Sequence, residues 1–388
     1  MHVGCRATRG ALAVLLLVLA ACGDDGADGS GDAPPESPPA GVAAARERIK
    51  RFEALPSFKP PGPAFDAAGL LRGKTIYEIP LTSEVPFVAA VENGMERAAA
   101  EVGAELVAYP NQGEPTQWAQ GIATAITQGA DAITLLAQDP QLLGPQIERA
   151  ERAGIPVIVL RTTGEGEPCQ ADPSGEPYGT TCVPGPFEEA GRLEADWVIA
   201  ETGGDADVLV ITSRDARSTI PLLQGLEGEF AENCPACELT FIDVPIPEWA
   251  NRLRTEVQSA LVANPDIAYV IPIYDSMSQF VVPALAASRA ADRVRIATFN
   301  GTPFVLEMIQ DDDVVASDVG ENLDWIGWAA MDQVFRVLAG EEPVPSEHTP
   351  LRVFHDGNVD EAGRPPETDR GYGDAYVDGY RRLWGVES

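Results

Sequence analysis

From residue 74 onward, short β-branched runs alternate with stretches patterned as amphipathic helices, and that alternation restricts the chain to the α/β class with parallel sheets. The first unit sets the pattern. Residues 74–79 (KTIYEI) form a β-branched and aromatic run that Pro80, Ser83, Glu84 and Pro86 break. From Phe87, apolar residues recur at Val88, Val91, Met95, Ala98 and Val102, and Gly103 stops this 3.6-residue stripe before a second strand at 104–108 (AELVA). A strand, a helix and a strand at this spacing form a right-handed crossover, and ligands of such sheets sit at the carboxyl ends of the strands. Further strands are expected at 132–136, 156–160, 207–211, 239–244, 267–271 and 294–299, and further helices at 116–128, 142–153, 187–201, 249–264, 277–288 and 323–338. So many strands exceed what one core organises, which gives two doubly wound parallel-sheet lobes.

The amino terminus reads as an address label. Arg6 and Arg9 precede an uncharged run, 11–21, which is too short for the ~20 apolar residues of a membrane span but fits a secretory leader. It ends in Leu19-Ala20-Ala21-Cys22, which resembles a bacterial lipoprotein box, with Cys22 as the lipidated first residue of the mature chain. The plainer reading is a signal peptide with an incidental cysteine. Residues 23–41 are Gly, Asp, Ser and Pro with almost nothing to bury, as suits a tether holding a folded body off a membrane. Residues 41–65 read as a helix followed by a Pro-rich linker, expected to strap onto the first lobe.

The chain holds 60 acidic against 27 basic residues, a field that repels polyphosphates and excludes nucleic acid as a partner. Export sorts the cysteines. Cys5 leaves with the leader and Cys22 takes lipid, so an even four remain for an oxidising compartment. Cys169 and Cys182 flank a Gly/Pro/Asp-rich insertion, where a disulfide closing about 14 residues stabilises by ~3 kcal/mol. Cys234 and Cys237 form a C-x-x-C, read either as a small structural disulfide in a turn or as a redox or zinc motif; no His or second Cys pair lies nearby to complete four zinc ligands.

Several local motifs together resemble the type I periplasmic binding proteins, the ribose-binding and LacI-like sugar-receptor group. Pro86-Phe87 resembles the family's turn before the first helix, and Gly154-Ile155-Pro156-Val157-Ile158 its fourth strand. Asn264-Pro265-Asp266 is similar to the approach to a later strand, Thr298-Phe299-Asn300-Gly301-Thr302-Pro303 to its "GFDGTP", and residues 316–326 to its "TIAQ" segment. The resemblance covers roughly 74–353. It implies a chain crossing three times between lobe one (74–185 plus 321–345) and lobe two (186–320 plus 346–358), after a leader (1–22) and a tether, helix and linker (23–73), and before an extension (359–388). It also implies a monomer that needs no cofactor, binds a small sugar-like solute between lobes that close on it, and presents the closed form to an ABC transporter permease at the outer face of the cytoplasmic membrane.

The resemblance points to eight ligand-binding positions. Phe87 offers an aromatic face for the C–H side of a sugar, or else a staple onto its own helix. Trp249 is a second platform. Tyr274 and Asp275 end a strand where the family has a polar pair, although Asp275 equally fits a helix cap. Asn300 replaces the family's aspartate and keeps both a donor and an acceptor. Arg161 stands where the family places an aspartate, and Glu321 where it has glutamine; if both face the cleft they pair and neutralise it. Gln224 is the nearest candidate for a second-lobe arginine that has no clear match.

An enzyme is the reading from another class, and the inventory opposes it. Of three histidines, His2 lies in the leader, while His348 and His355 lack a neighbouring nucleophile motif. Gly164-Glu165-Gly166 opens no helix and carries a carboxylate, so it is no phosphate loop. A sensory receptor reporting occupancy to a membrane signalling protein uses the same closure as a transport receptor and is not separable from it by sequence. Finally, Tyr372, Tyr376, Tyr380 and Trp384 recur every four residues, one face of a helix expected to dock on the second lobe.

Overall fold

The computed structural model describes residues 39–312 and 314–386. The leader, Cys22 and the start of the tether therefore lie outside the described residues. Two α/β layers account for the rest. In the first, β1 (Thr75–Pro80), β2 (Glu105–Ala108), β3 (Ala132–Leu136), β4 (Val157–Gly164) and β5 (Thr181–Gly185) form an all-parallel sheet of order β2-β1-β3-β4-β5. In the second, β6 (Asp207–Thr212), β7 (Glu238–Asp243), β8 (Ile267–Pro272), β9 (Arg295–Asn300), β10 (Val315–Glu321) and β11 (Leu351–His355) are ordered β11-β10-β9-β8-β6-β7. There β11 alone runs antiparallel, against β10. The expected parallel lobes are present, with this one reversed edge.

The helices are α1 (Ala40–Phe52), α2 (Ala67–Leu70), α3 (Pro86–Val102), α4 (Pro115–Gln128), α5 (Gly144–Arg152), α6 (Phe187–Thr202), α7 (Thr219–Asn233), α8 (Trp249–Ala263), α9 (Ser278–Ala287), α10 (Pro303–Gln310), α11 (Leu323–Ala339) and α12 (Ala375–Leu383). In α3 the stripe Val88, Val91, Met95, Ala98 and Val102 is buried, with Pro86 in the first turn, where its missing N–H costs nothing. The chain passes to the second sheet between β5 and α6, returns between β10 and α11, and passes again between α11 and β11. As a result α11 shares its core with α3 and the first sheet, although the strand before it and the strand after it pair in the second.

From residue 74 onward five elements, β5, α7, α10, β10 and β11, lie outside the alternation read from sequence. Pro221, Gly225 and Gly228 look like breakers of α7. Pro221 sits in its first turn, however, and Gly225 faces Glu188 while Gly191 of α6 faces Leu222, so a Cβ at either glycine would strike backbone of the other helix. Those glycines exist for the close approach of α6 and α7. Both disulfides, Cys169–Cys182 and Cys234–Cys237, are formed.

Two docking expectations are corrected. The strap α1 lies on the second lobe, where Val42, Ala45 and Ile49 join the core of α6 and α7. Its anchor is electrostatic: Arg48 reaches Asp196 at 3.2 Å and Glu229 at 2.7 Å, partners that no local pattern in 41–65 reveals. The C-terminal helix docks on the first lobe. Tyr376 stacks on Trp325 at 4.8 Å, Trp384 stacks on Trp328 at 5.2 Å, and the Trp384 indole N–H donates to Asp332 at 2.6 Å. The aromatic face of α11 decides this, and only Tyr372, which precedes the helix, sits on the second sheet, edge-on to Phe354 at 5.3 Å. Trp384 is fully buried, so Trp384→Ala is expected to destabilise the protein by about 3–5 kcal/mol in denaturant unfolding. An unchanged midpoint would mean that the extension is not part of the core.

Candidate functional site

A cavity opens between the carboxyl ends of the two sheets, where the turns after β1, β3, β6, β8 and β9 converge. Its volume is about 60 Å³, room for a few waters and less than a monosaccharide occupies. Leu81, Val85, Phe87 and Val88 contribute apolar surface from the first lobe; Phe187, Ile246 and Trp249 do so from the second. Polar atoms enter from Thr82, Arg161, Ser218, Tyr274, Ser276 and Asn300.

Five expected site residues line this space, and three do not. Phe87, the second residue of α3, is half-buried, with its ring 5.8 Å from the Arg161 guanidinium carbon; Phe187 lies 4.8 Å from that carbon. Trp249 opens α8 and gives its indole N–H to Ser213 Oγ at 2.8 Å and to the Val244 carbonyl at 3.1 Å, so the ring meets the cavity as an apolar surface. The Tyr274 hydroxyl is engaged with Ser218 Oγ at 2.7 Å and Thr219 Oγ1 at 2.9 Å, and burial pushes its pKa up to about 12. Asn300 ends β9 at the cavity wall.

Of the three that do not line the cavity, Gln224 is exposed on α7, and its assignment is corrected. It was inferred from a missing arginine in a helix whose start the sequence did not reveal. Asp275 and Glu321 are fully buried behind the wall. Glu321 accepts from Arg161 Nη2 at 2.5 Å, an ion pair between β4 of the first sheet and β10 of the second, with Arg161 4% exposed. Burial raises the Glu321 pKa in spite of the guanidinium beside it. The other guanidinium nitrogens, Nε and Nη1, make no hydrogen bond to the described residues, and Nη1 lies beside Gly185.

The backbone is strained where it meets the cavity. Six non-glycine residues among those described have positive φ, and three of them, Ala137 (71°), Arg161 (59°) and Asn300 (145°), line the space. Such conformations cost roughly 1–3 kcal/mol each and persist where surrounding structure imposes them. Sequence reasoning missed Phe187 and Ser218. An aromatic directly after Pro186, at the first crossing between lobes, was the available signal for Phe187; Ser218 had none once the start of α7 was hidden.

The chain belongs to the family described as the periplasmic binding protein domain, whose model matches residues 76–342. The ribose import binding protein of Escherichia coli (strain K12) is 23% identical over 279 residues, covering 71% of this chain and 88% of the relative. A D-ribose/D-allose-binding protein of Pseudomonas aeruginosa is 24% identical over 226 residues, covering 56% of this chain and 66% of the relative. Among solved structures, an ABC transporter solute binding protein from Agrobacterium vitis with bound allitol is 20% identical, with a TM-score of 0.66, covering 76% of this chain and 99% of that one. Caulobacter myo-inositol binding protein, also 20% identical, gives 0.65, covering 76% and 98%. The family match, with these curated relatives, places the chain among extracytoplasmic substrate-binding proteins of transport rather than among enzymes.

The second lobe holds unpaired acid behind the cavity. Glu194 of α6 is fully buried, neither carboxylate oxygen has a partner, and burial holds its pKa well above 4.5. A carboxyl that is protonated when folded and ionised when unfolded destabilises progressively as pH rises above 4.5, until the folded-state pKa is passed. Glu194→Gln is therefore expected to raise unfolding free energy at pH 8 and to leave it unchanged near pH 4. Denaturant curves at both pH values test this, and an equal effect at the two would mean that Glu194 is ionised in the fold.

Proposed function

We propose that the protein is a lipid-anchored, monomeric binding protein that captures a small, uncharged, carbohydrate-like solute and delivers it to an ABC import permease. The observation that carries the reading is Arg161. It is buried at the junction of the lobes and lines the cavity, its charge is balanced by Glu321, and two of its nitrogens have no hydrogen-bond partner among the described residues. Hydroxyl groups suit those donors, together with the amide of Asn300. Phe87 and Trp249 provide the apolar faces that sugar C–H surfaces need. A full negative charge on the solute is disfavoured, because the cation is already neutralised and buried acids stand behind the second-lobe wall. The names of the relatives, which bind ribose, allose, allitol and myo-inositol, support the same class.

In this conformation the cavity is smaller than such a solute, so binding requires the lobes to part. Anchoring rests on the sequence at 11–22, with Cys22 as the acceptor. Thermal melting against D-ribose, D-allose, allitol and myo-inositol tests the ligand class. At 100 times its dissociation constant, a solute stabilises by ~2.7 kcal/mol, and Phe87→Ala with Asn300→Ala removes the shift. Stabilisation by sugar phosphates alone would overturn the proposed neutrality. For the anchor, Cys22→Ser moves the protein from the membrane fraction to the soluble one; retention at the membrane would overturn the lipid assignment.

A further inference from the structure

The turn that carries Asn300 to the cavity is held from behind by two carboxyl groups. Gly301 and Thr302 connect Asn300 to α10, and of these three residues only Asn300 lines the cavity. The Thr302 backbone N–H donates to Asp275 Oδ2 at 2.6 Å, and the Thr302 hydroxyl donates to the same oxygen. The Gly301 N–H donates to Asp318 Oδ1 at 3.0 Å. Both acids are 0% exposed and neither lines the cavity. A third group closes the back. The Tyr372 hydroxyl lies against Gly301 and Gly320, so that a Cβ at either glycine would collide with it, and Gly301 has a φ of 79° that favours glycine in any case. Tyr372 comes from the C-terminal extension, beyond residue 342, where the family match ends.

We propose that Asp318, with Asp275 and Tyr372 beside it, is a positioning residue for ligand binding: it fixes the Gly301–Thr302 backbone and thereby keeps Asn300 at the cavity wall. This rests on reading the cavity as a solute site. Two neighbouring carboxylates in a dry interior do not both ionise. Burial and the charge of Asp275 hold the Asp318 pKa well above the usual range, while burial takes Asp275 up to about 6. Glu194 of α6 lies close enough to feel the Asp318 charge and is itself held protonated by burial, while the charge of Glu321, on the same strand as Asp318, is matched by Arg161. Two nearby arginines are occupied, Arg161 of β4 by Glu321 and Arg352 of the adjoining β11 by Glu361 and the Gly371 carbonyl. At neutral pH the pair therefore holds one proton, on Asp318, whose Oδ2 is buried and accepts from no donor. Asp275 is then the carboxylate that accepts from Thr302 and, at 3.2 Å, from Ser276 Oγ, itself a cavity residue.

A protonated acid and an amide present the same pattern of one donor and one acceptor. Asp318→Asn is therefore expected to bind like the parent protein at pH 7.5, whereas Asp318→Ala binds about ten-fold more weakly. Isothermal titration with D-ribose, D-allose and allitol reads this, and because these probes do not titrate, any pH dependence belongs to the protein. Parent affinity is expected to fall as pH drops below about 6 and Asp275 takes up a proton. Hydrogen exchange of the peptide spanning residues 300–306, without ligand, gives a readout that does not depend on the solute: faster exchange in Asp318→Ala, restored in Asp318→Asn. Parent-like exchange and affinity in a folded Asp318→Ala overturn the proposal, as does an Asn variant no better than Ala. If Asp318→Ala does not fold, Thr302→Val, which removes one donor to Asp275, decides by the same exchange. If the parent protein binds none of the probes, the solute reading fails while the exchange comparison still decides the positioning role.

Discussion

A guanidinium from the first sheet and a carboxylate from the second meet at 2.5 Å between the lobes, and neither reaches bulk solvent. The geometry of the cleft follows from that contact. In a closed protein the pair is costly to break by substitution, because one charge would remain buried without a partner, a loss of about 3–5 kcal/mol. Opening the lobes differs from substitution, since water enters and both ions recover the hydration they gave up. The pair is then worth little more than a surface ion pair, roughly 0–1 kcal/mol. Phe187, from the second lobe, shifts this balance toward closure by covering the guanidinium at 4.8 Å when the lobes are together, whereas Phe87 reaches it from within the first lobe. Under the proposed opening and closing, closure alone is thus near balance, and differential contacts with a solute determine which state prevails.

The alternation of strands and helices was legible because each buried run and each helical stripe is a local pattern, as in AITLL of β3 or Val88 to Val102 of α3. Arg161 and Glu321 were placed by the resemblance, which also anticipated their pairing; Arg161 lines the cavity, while Glu321 lies buried behind it. What the sequence hid was long-range. The lobe chosen by α1 depends on Asp196 and Glu229, far along the chain, and the lobe chosen by α12 depends on Trp325 and Trp328. Gln224 failed because it was inferred from what the family has, with no local pattern of its own, and it points to solvent.

Both chain extensions bridge the lobes on the side where the chain crosses between them. Arg352 of β11 donates to the Glu53 carbonyl at 2.9 Å, to the Gly371 carbonyl and to Glu361 at 2.7 Å, tying the linker and the extension to the second lobe. A few residues further on, the same segments are fixed to the first lobe. Phe58 packs on Tyr380 at 5.1 Å and on Trp325 at 5.8 Å, and Arg336 lies 4.8 Å under Phe65 while donating to the Pro63 carbonyl at 3.3 Å. Only a short stretch separates Glu53 from Phe58, or Tyr372 from Tyr376. Any opening of the cleft must therefore bend these two segments as well as the three crossings, which makes the extensions mechanical parts of the receptor.

With 60 acidic residues against 27 basic, the interior does not find enough cations for its carboxyls, and protons take their place. Asp196 shows how far this goes. Even with Arg48 at 3.2 Å, burial and the neighbouring Glu229 push its pKa up to about 8. Glu78 and Glu347 are driven upward in the first lobe, and Glu194 and Asp318 in the second, each chiefly by burial. Among the carboxyls with a resolved shift, only Asp131, paired with Lys74, and the exposed Asp172 move down. A group held well above the ordinary range, such as Glu194 or Asp318, binds a proton in the fold that it releases on unfolding at neutral pH, so stability falls as pH rises above the ordinary carboxyl range. A cleft whose rear wall belongs to the same protonated network cannot be electrostatically independent of the medium, even when its solute carries no charge.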